Sequence, residues 1–166
     1  MLNGILVLDF GSQYTQLIAR RIRELGVWCT IEPYNFPQDK ILQLKPYGLI
    51  LSGGPMSVYD NGSPKISKNL FDLNIPILGI CYGMQLIAYL LGGKVEKSKK
   101  REYGFSKINV QTHPLFDKTP KEQDVWASHG DRVEKMPKNF ISIASSENSP
   151  IAAFSHKEKK IFGLQF

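Results

Sequence analysis

The sequence predicts one α/β domain over residues 1–166, built on an open, mostly parallel, doubly wound sheet with helices on both faces and a small antiparallel extension. Two patterns predict this fold class. Up to Gly93, short apolar runs alternate with segments in which apolar residues recur every three or four positions, which is typical of parallel strands joined by helices. After Gly93, short apolar runs follow one another between turn residues, which indicates antiparallel strands.

The elements follow from these patterns in chain order. Parallel strands are expected at residues 4–10, 27–31, 47–51 and 75–80, and helices at 14–25, 39–44, 65–73 and 84–91. Strands of the antiparallel extension are expected at 106–110, 124–127, 141–144, 151–154 and 161–166. Ligands of such sheets bind beyond the carboxyl ends of the parallel strands, so we expect the functional site at that edge.

The segment GICYG at residues 79–83 joins an apolar strand directly to a helix. A turn this short forces its central residue, Cys81, into a strained and exposed conformation, and the flanking Gly79 and Gly83 remove side chains that would collide. The helix dipole should favour the thiolate, so we expect a lowered pKa for Cys81. The N–H of Tyr82 remains available to an oxyanion, which is the layout of an acyl-transfer nucleophile. A small, inert core cysteine is the alternative.

A second group of oxyanion donors is predicted after the strand at 47–51. Gly53 and Gly54 belong to an SGGP segment that follows this strand and leaves backbone amides uncovered by side chains. A simple turn is the alternative. Because Cys81 follows a neighbouring strand of the predicted sheet, we favour an oxyanion hole.

A third candidate part of the site follows the strand predicted at 124–127. Its residues are expected to form a small polar loop that orients polar groups of a ligand, and an ordinary solvent loop is the alternative. They are Ser128, His129, Gly130 and Asp131. A cysteine nucleophile also needs a general base, usually a histidine oriented by a carboxylate. None of the three histidines is followed by a carboxylate at a spacing typical of such a relay.

Composition limits the classes of function. The formal net charge is +6, with the densest basic cluster at 94–101, but no aromatic residues interleave it, so we expect a solvated face or a docking face and no nucleic-acid partner. The two cysteines, Cys29 and Cys81, suggest neither a disulfide framework nor a metal site. No apolar run approaches the ~20 residues of a membrane span, and the N-terminus lacks a signal-peptide pattern, so a cytoplasmic location is expected.

These motifs carry a family resemblance that covers the whole chain. GICYG with Gln85, together with SGGP and SHGD, resembles the class I, triad-type glutamine amidotransferases, whose fold is flavodoxin-like. The segments at 5–24 and 101–104 and the WASHGD motif are similar to the glutaminase domains of bacterial GMP synthases. The resemblance implies that Cys81 attacks the side-chain amide carbon of L-glutamine and forms a glutamyl thioester. It further implies that the N–H groups of Gly54 and Tyr82 hold the oxyanion, while Gln85 and residues 128–131 position glutamine.

The resemblance also implies partners. In whole proteins of that family, ammonia passes to a C-terminal ATP pyrophosphatase domain, which uses ATP and Mg²⁺ to adenylate and aminate XMP, and the full-length protein is expected to be a homodimer. No cofactor is expected in this domain. That family places its catalytic histidine and glutamate in a His-Pro-Glu motif directly after a segment like 163–166, where this sequence stops.

We therefore expect a C-terminally incomplete domain that is inactive or very slow alone, and we expect His129 to contact glutamine and not to act as the base. Two other interpretations stay open. One is an amidotransferase subunit serving a different acceptor, as in anthranilate or CTP synthesis. The other is a non-catalytic, flavodoxin-like binding module.

Overall fold

The structure, a computed structural model, describes residues 4–166, except for the side chains of residues 99–102. The basic cluster predicted at 94–101 therefore lies partly outside the described side chains. The strands are β1 (Ile5–Asp9), β2 (Cys29–Pro33), β3 (Gly48–Leu51), β4 (Ile77–Ile80), β5 (Lys94–Val110), β6 (Glu122–Lys135), β7 (Phe140–Ser146), β8 (Ala153–His156) and β9 (Ile161–Leu164). The α-helices are α1 (Thr15–Glu24), α2 (Gln38–Leu44) and α3 (Tyr82–Leu90), and short 3-10 helices cover Lys68–Asp72 and Pro114–Phe116.

The described strands form one sheet in the order β2-β1-β3-β4-β9-β8-β7-β5-β6. The first five in this order are parallel, so the predicted mostly parallel core is confirmed. Helices cover both faces of the sheet. Successive side chains of β1 point to opposite sides, so they contact different helices. Val7 packs with Ala19 of α1 on one face. Leu6 and Leu8 face the opposite side, in the main core that also contains residues of α2 and α3.

The predicted placement of the last strand in the antiparallel extension is half wrong. β9 pairs antiparallel with β8, but it also pairs parallel with β4, where Ile80 lies opposite Leu164. β9 therefore joins the two halves of the sheet and is part of the parallel core. Its partner β4 is more than 80 residues earlier in the chain, so local sequence pattern carries no information on this pairing.

Two further expectations differ from the structure in extent. The antiparallel part is larger than predicted, because β5 has 17 residues and β6 has 14 and the two form a long, twisted ribbon. The helix predicted at 65–73 is only a short 3-10 helix, Lys68–Asp72. Ser67 caps its start, because the Ser67 hydroxyl accepts a hydrogen bond from the N–H of Asn69. In the part of the chain that the structure describes, no helix combines the length and apolar character needed to cross a bilayer.

Candidate active site

Cys81 occupies the sharp turn between β4 and α3, as the sequence predicts. Its backbone has φ 50° and ψ −107°, a left-handed conformation that is strained for a residue with a side chain. A Cβ at Gly83 would overlap the carbonyl oxygen of Leu51, and one at Gly79 would lie 2.5 Å from the carbonyl carbon of Gly83. The expectation that both glycines are needed for the elbow is therefore confirmed.

The start of α3 is held firmly beside the elbow. The N–H of Cys81 donates to the carbonyl of Leu164 at 2.7 Å, which joins the elbow to β9. The ring of Tyr82 is 2% exposed and packs at 5.6 Å from the ring of Phe10, and its hydroxyl donates to the carbonyl of Pro64 at 2.6 Å. Burial raises the pKa of the Tyr82 phenol, so this side chain serves as an uncharged anchor.

The thiol of Cys81 is protonated at neutral pH. Burial raises its pKa to about 11, so the lowered pKa expected from the helix dipole is wrong. The cause is the loss of hydration on burial, which disfavours the charged thiolate. The S–H group donates to the carbonyl oxygen of Gln165 at 3.2 Å. A thiolate could not donate this hydrogen bond, and its negative charge would be repelled by the carbonyl oxygen. A general base is therefore needed when this sulfur reacts.

The SGGP loop passes directly beside Cys81. Ser52 is fully buried and holds the loop in place, because its hydroxyl accepts from the N–H of Phe10 and donates to the carbonyl of Gly53, both at 2.9 Å. A Cβ at Gly53 would lie 3.6 Å from the Cβ of Cys81, and one at Gly54 would lie 2.6 Å from the carbonyl oxygen of Phe10. A side chain at position 53 would therefore make ordinary van der Waals contact with the elbow, whereas one at position 54 would collide with Phe10 at the end of β1, so glycine is required at 54.

Two backbone N–H groups, one in the SGGP loop and one directly after Cys81, remain available to a ligand. Within residues 4–166, the structure shows no acceptor for the N–H of Gly54 or for the N–H of Tyr82. Both groups belong to segments that flank Cys81. An oxyanion hole consists of backbone donors of this kind, fixed in advance next to a nucleophile.

The loop predicted at residues 128–131 is instead part of strand β6. Ser128 pairs with Tyr103 and His129 pairs with Glu102 of β5, and β6 continues to Lys135. Gly130 and Asp131 are typical turn residues, and for this reason they predicted a loop. The pairing with β5 was not predicted, because that strand is remote in sequence. The strand is irregular opposite this point, where the β5–β6 register shifts between Lys97 and Glu102.

The end of this segment contacts α3 through the backbone carbonyl of Asp131. That carbonyl accepts from the Nε2 of Gln85 at 2.9 Å and lies 3.0 Å from the Nδ1 of His129. A carbonyl only accepts, so the Nδ1 of His129 carries a proton. Gln85 and His129 are both buried, whereas Ser128 is exposed. The structure thus brings Gln85, His129 and Asp131 together, as a group linked to the elbow through α3.

Comparison with known proteins places this geometry in a family. The family model described as glutamine amidotransferase class-I matches residues 6–166. The chain belongs to the class I glutamine amidotransferases. It is 53% identical over 163 residues to the GMP synthase [glutamine-hydrolyzing] of Caldicellulosiruptor saccharolyticus, with 98% of this chain and 32% of that protein covered. The corresponding protein of Aquifex aeolicus is 52% identical, with the same coverage. The chain thus spans about a third of the length of these curated relatives.

Solved structures give the same family. A protein of Thermoplasma acidophilum, provisionally described as one component of a GMP synthase, is 36% identical with a TM-score of 0.89, and the match covers 100% of this chain and 84% of that one. A glutamine amidotransferase of Thermotoga maritima, at 23% identity and a TM-score of 0.78 over 100% of this chain and 76% of that one, supports the fold alone. The predicted fold class and family are confirmed.

One residue that contacts both Cys81 and Gln85 was not predicted from the sequence. Gln165 follows β9, and it contacts Cys81 through its carbonyl oxygen and Gln85 through its side chain. It is 1% exposed. The available signal was a single amide side chain at the end of an otherwise apolar, buried run, IFGLQF. Such a residue needs a polar reason to be buried.

Proposed function

We propose that this chain is the glutamine-hydrolysing part of a GMP synthase and that Cys81 is its nucleophile. The observation that carries this proposal is the strained elbow cysteine beside two N–H groups, those of Gly54 and Tyr82, for which residues 4–166 offer no acceptor. The names of the relatives support the choice of GMP synthesis over anthranilate or CTP synthesis.

The reaction follows from this arrangement. The sulfur of Cys81 attacks the side-chain carboxamide carbon of glutamine as its proton is removed, and negative charge develops on the carboxamide oxygen. The N–H groups of Gly54 and Tyr82 stabilise that charge. The intermediate expels ammonia once the leaving nitrogen is protonated, which leaves a glutamyl thioester on Cys81. Water then attacks the thioester, the carbon–sulfur bond breaks, and glutamate leaves as the thiol regains its proton.

The mechanism also needs a general base, and none of the described contacts of the Cys81 sulfur is with one. The pKa of about 11 requires one. The contact between the Cys81 sulfur and the Gln165 carbonyl means that a residue attached after Phe166 would begin next to the nucleophile. We propose that the histidine and glutamate of a His-Pro-Glu motif enter there in the intact protein. The 166-residue chain alone should then hydrolyse glutamine very slowly.

Glutamine positioning is assigned to β6 and α3. Ser128 is exposed and Gly130 and Asp131 are half-buried, so these three residues are accessible to a ligand. The backbone carbonyl of Asp131 accepts from the Nδ1 of His129 and from the Nε2 of Gln85 in α3. We propose that residues 128–131 bind the amino acid part of glutamine, with Gln85 fixing their distance from Cys81.

The whole protein would use this ammonia in a second domain. The relatives are about three times as long as this chain, which supports a further domain that binds ATP, Mg²⁺ and XMP. We also propose that the full-length protein is cytoplasmic and forms a homodimer.

Covalent labelling tests the nucleophile. A diazoketone analogue of glutamine should modify Cys81 stoichiometrically and leave Cys29 untouched, and excess L-glutamine should slow the modification. Cys29 is the internal control, since it is 1% exposed and burial raises the pKa of its thiol. Equal labelling of both cysteines, or labelling that glutamine does not slow, would contradict a glutamine site and favour a non-catalytic module.

Activity measurements test the base and the acceptor. A version extended through the His-Pro-Glu segment should release ammonia from glutamine far faster than the 166-residue chain, and equal rates would refute the assigned base. In the full-length protein with ATP, glutamine should aminate XMP and neither chorismate nor UTP. Amination of one of the latter two would replace GMP synthesis with the corresponding alternative.

A further inference from the structure

Gln165 has an unusual environment for an amide side chain. The residue is 1% exposed, its N–H donates to the carbonyl of Ala152 at 2.8 Å, and its carbonyl accepts from the thiol of Cys81 at 3.2 Å. Its backbone is therefore fixed between Ala152, the residue before β8, and the Cys81 elbow. Any contact that its side chain makes is held at a set distance from the reactive sulfur.

The side chain of Gln165 uses only one of its two polar atoms. Its Oε1 accepts from the Nε2 of Gln85 at 3.3 Å, while its own Nε2 is buried and has no partner within the described residues. A buried amide nitrogen without an acceptor is costly, and an apolar residue of similar size would avoid that cost. The hydrogen bond that the Oε1 of Gln165 accepts from Gln85 therefore explains why glutamine occupies this position.

The oxygen of Gln165 completes the hydrogen bonding of Gln85. The Nε2 of Gln85 carries two N–H groups, and they donate to the carbonyl of Asp131 and to the Oε1 of Gln165. With both donors committed, the carboxamide of Gln85 has one orientation. Without the Gln165 oxygen, one N–H would be unpaired and the carboxamide could rotate away from Asp131.

We propose that Gln165 is a positioning residue that locks Gln85 against the backbone of Asp131 and thereby sets the distance between the glutamine-binding part of β6 and Cys81. This inference rests on the proposed glutamine hydrolysis. It adds a role for the side chain of Gln165, whose backbone carbonyl accepts from the Cys81 thiol but whose amide acts only through Gln85. Three elements, β6, α3 and β9, meet in this amide chain.

A double-substitution cycle tests the lock. The variants are Gln165→Met, Gln85→Met and the double variant, with Gln123→Met as the matched control. Gln123 lies at the far end of β6, and its amide makes local contacts with Thr119 and Pro120. Glutamine affinity is measured in the 166-residue chain by the slowing of iodoacetamide modification of Cys81. The side-chain amide resonances of Gln85 are followed by NMR in the absence of glutamine.

If Gln165 acts through Gln85, Gln165→Met should shift the Gln85 amide resonances and weaken glutamine protection about tenfold. The double variant should be no weaker than Gln85→Met, because the two residues share one path. The thermal midpoint should change little, since the substitution removes one unpaired amide and creates one at Gln85. Gln123→Met should leave glutamine protection and the Gln85 resonances unchanged.

Unmoved Gln85 resonances, or additive losses in the double variant, would overturn the lock. The proposed function fails separately. Absence of glutamine protection in the unsubstituted chain would count against glutamine binding, while a shift of the Gln85 resonances in Gln165→Met would still establish that Gln165 orients the Gln85 carboxamide.

Discussion

The sulfur of Cys81 lies 3.2 Å from the carbonyl oxygen of Gln165, a residue 84 positions later in the chain. The contact exists because β4 and β9 are adjacent parallel strands, so their carboxyl ends meet at one edge of the sheet. The end of β9 therefore forms part of the environment of Cys81. It supplies a hydrogen-bond acceptor for the half-buried thiol and another for the backbone N–H of Cys81.

Substitution of Gly83 by alanine should unfold or strongly destabilise the protein. The new Cβ would overlap the carbonyl oxygen of Leu51, a backbone atom that cannot move without breaking the β3–α3 packing. We expect a loss of ~3 kcal/mol in the free energy of unfolding, measured by urea titration. Gly62→Ala is the control, because Gly62 has φ +75° but open space around it, and it should cost about 1–2 kcal/mol. Equal losses would show that the elbow tolerates a side chain.

Alkylation of Cys81 by iodoacetamide should be slow at neutral pH. With a pKa of about 11, the thiolate fraction and hence the rate should rise about tenfold per pH unit from pH 7 to pH 10. The rate is followed by mass spectrometry of the peptide containing Cys81. A rate that levels off near pH 8 would mean that the dipole of α3 outweighs burial.

The same group should make stability fall at alkaline pH. The folded-state pKa of Cys81 is raised from 9.0 to about 11, so between these values the folded state holds a proton that the unfolded state has lost. The contribution is complete below pH 9 and is lost as the pH rises towards 11, by roughly 2–3 kcal/mol at most. Urea titrations at pH 8 and pH 10.5 (about half a unit below that pKa) should show a smaller decrease for Cys81→Ser than for the natural chain. Identical decreases would contradict the burial effect.

Removal of the Ser52 hydroxyl should loosen the oxyanion loop. Ser52→Ala leaves the buried N–H of Phe10 without its acceptor and frees the carbonyl of Gly53, at a cost of about 1–3 kcal/mol. Labelling of Cys81 by the diazoketone should slow, since the Gly54 N–H would no longer be held in place. Ser67→Ala, which removes a weak hydrogen bond at an exposed turn, should affect neither quantity. A Ser52 variant with unchanged labelling would argue against the loop as an oxyanion hole.

Local features of the sequence were good predictors. The strand before Cys81, the glycines around it and the helix after it are all set within about 15 consecutive residues, and each follows from short-range sterics and periodicity. The structure reproduces this elbow. By contrast, Ser128–Asp131 were predicted as a loop from turn-forming residues, and pairing with β5 holds them in a strand.

The sequence by itself determined four strands of the parallel core, the Cys81 elbow and the family, because these depend on residue spacing within short stretches of chain. Only the tertiary structure decided that β9 lies beside β4, that Gln165 links Cys81 to Gln85, and that burial raises the thiol pKa. The physical reason is that strand pairing and desolvation arise between residues far apart in the sequence. Hydrogen bonds between distant strands leave no periodic trace in either strand alone.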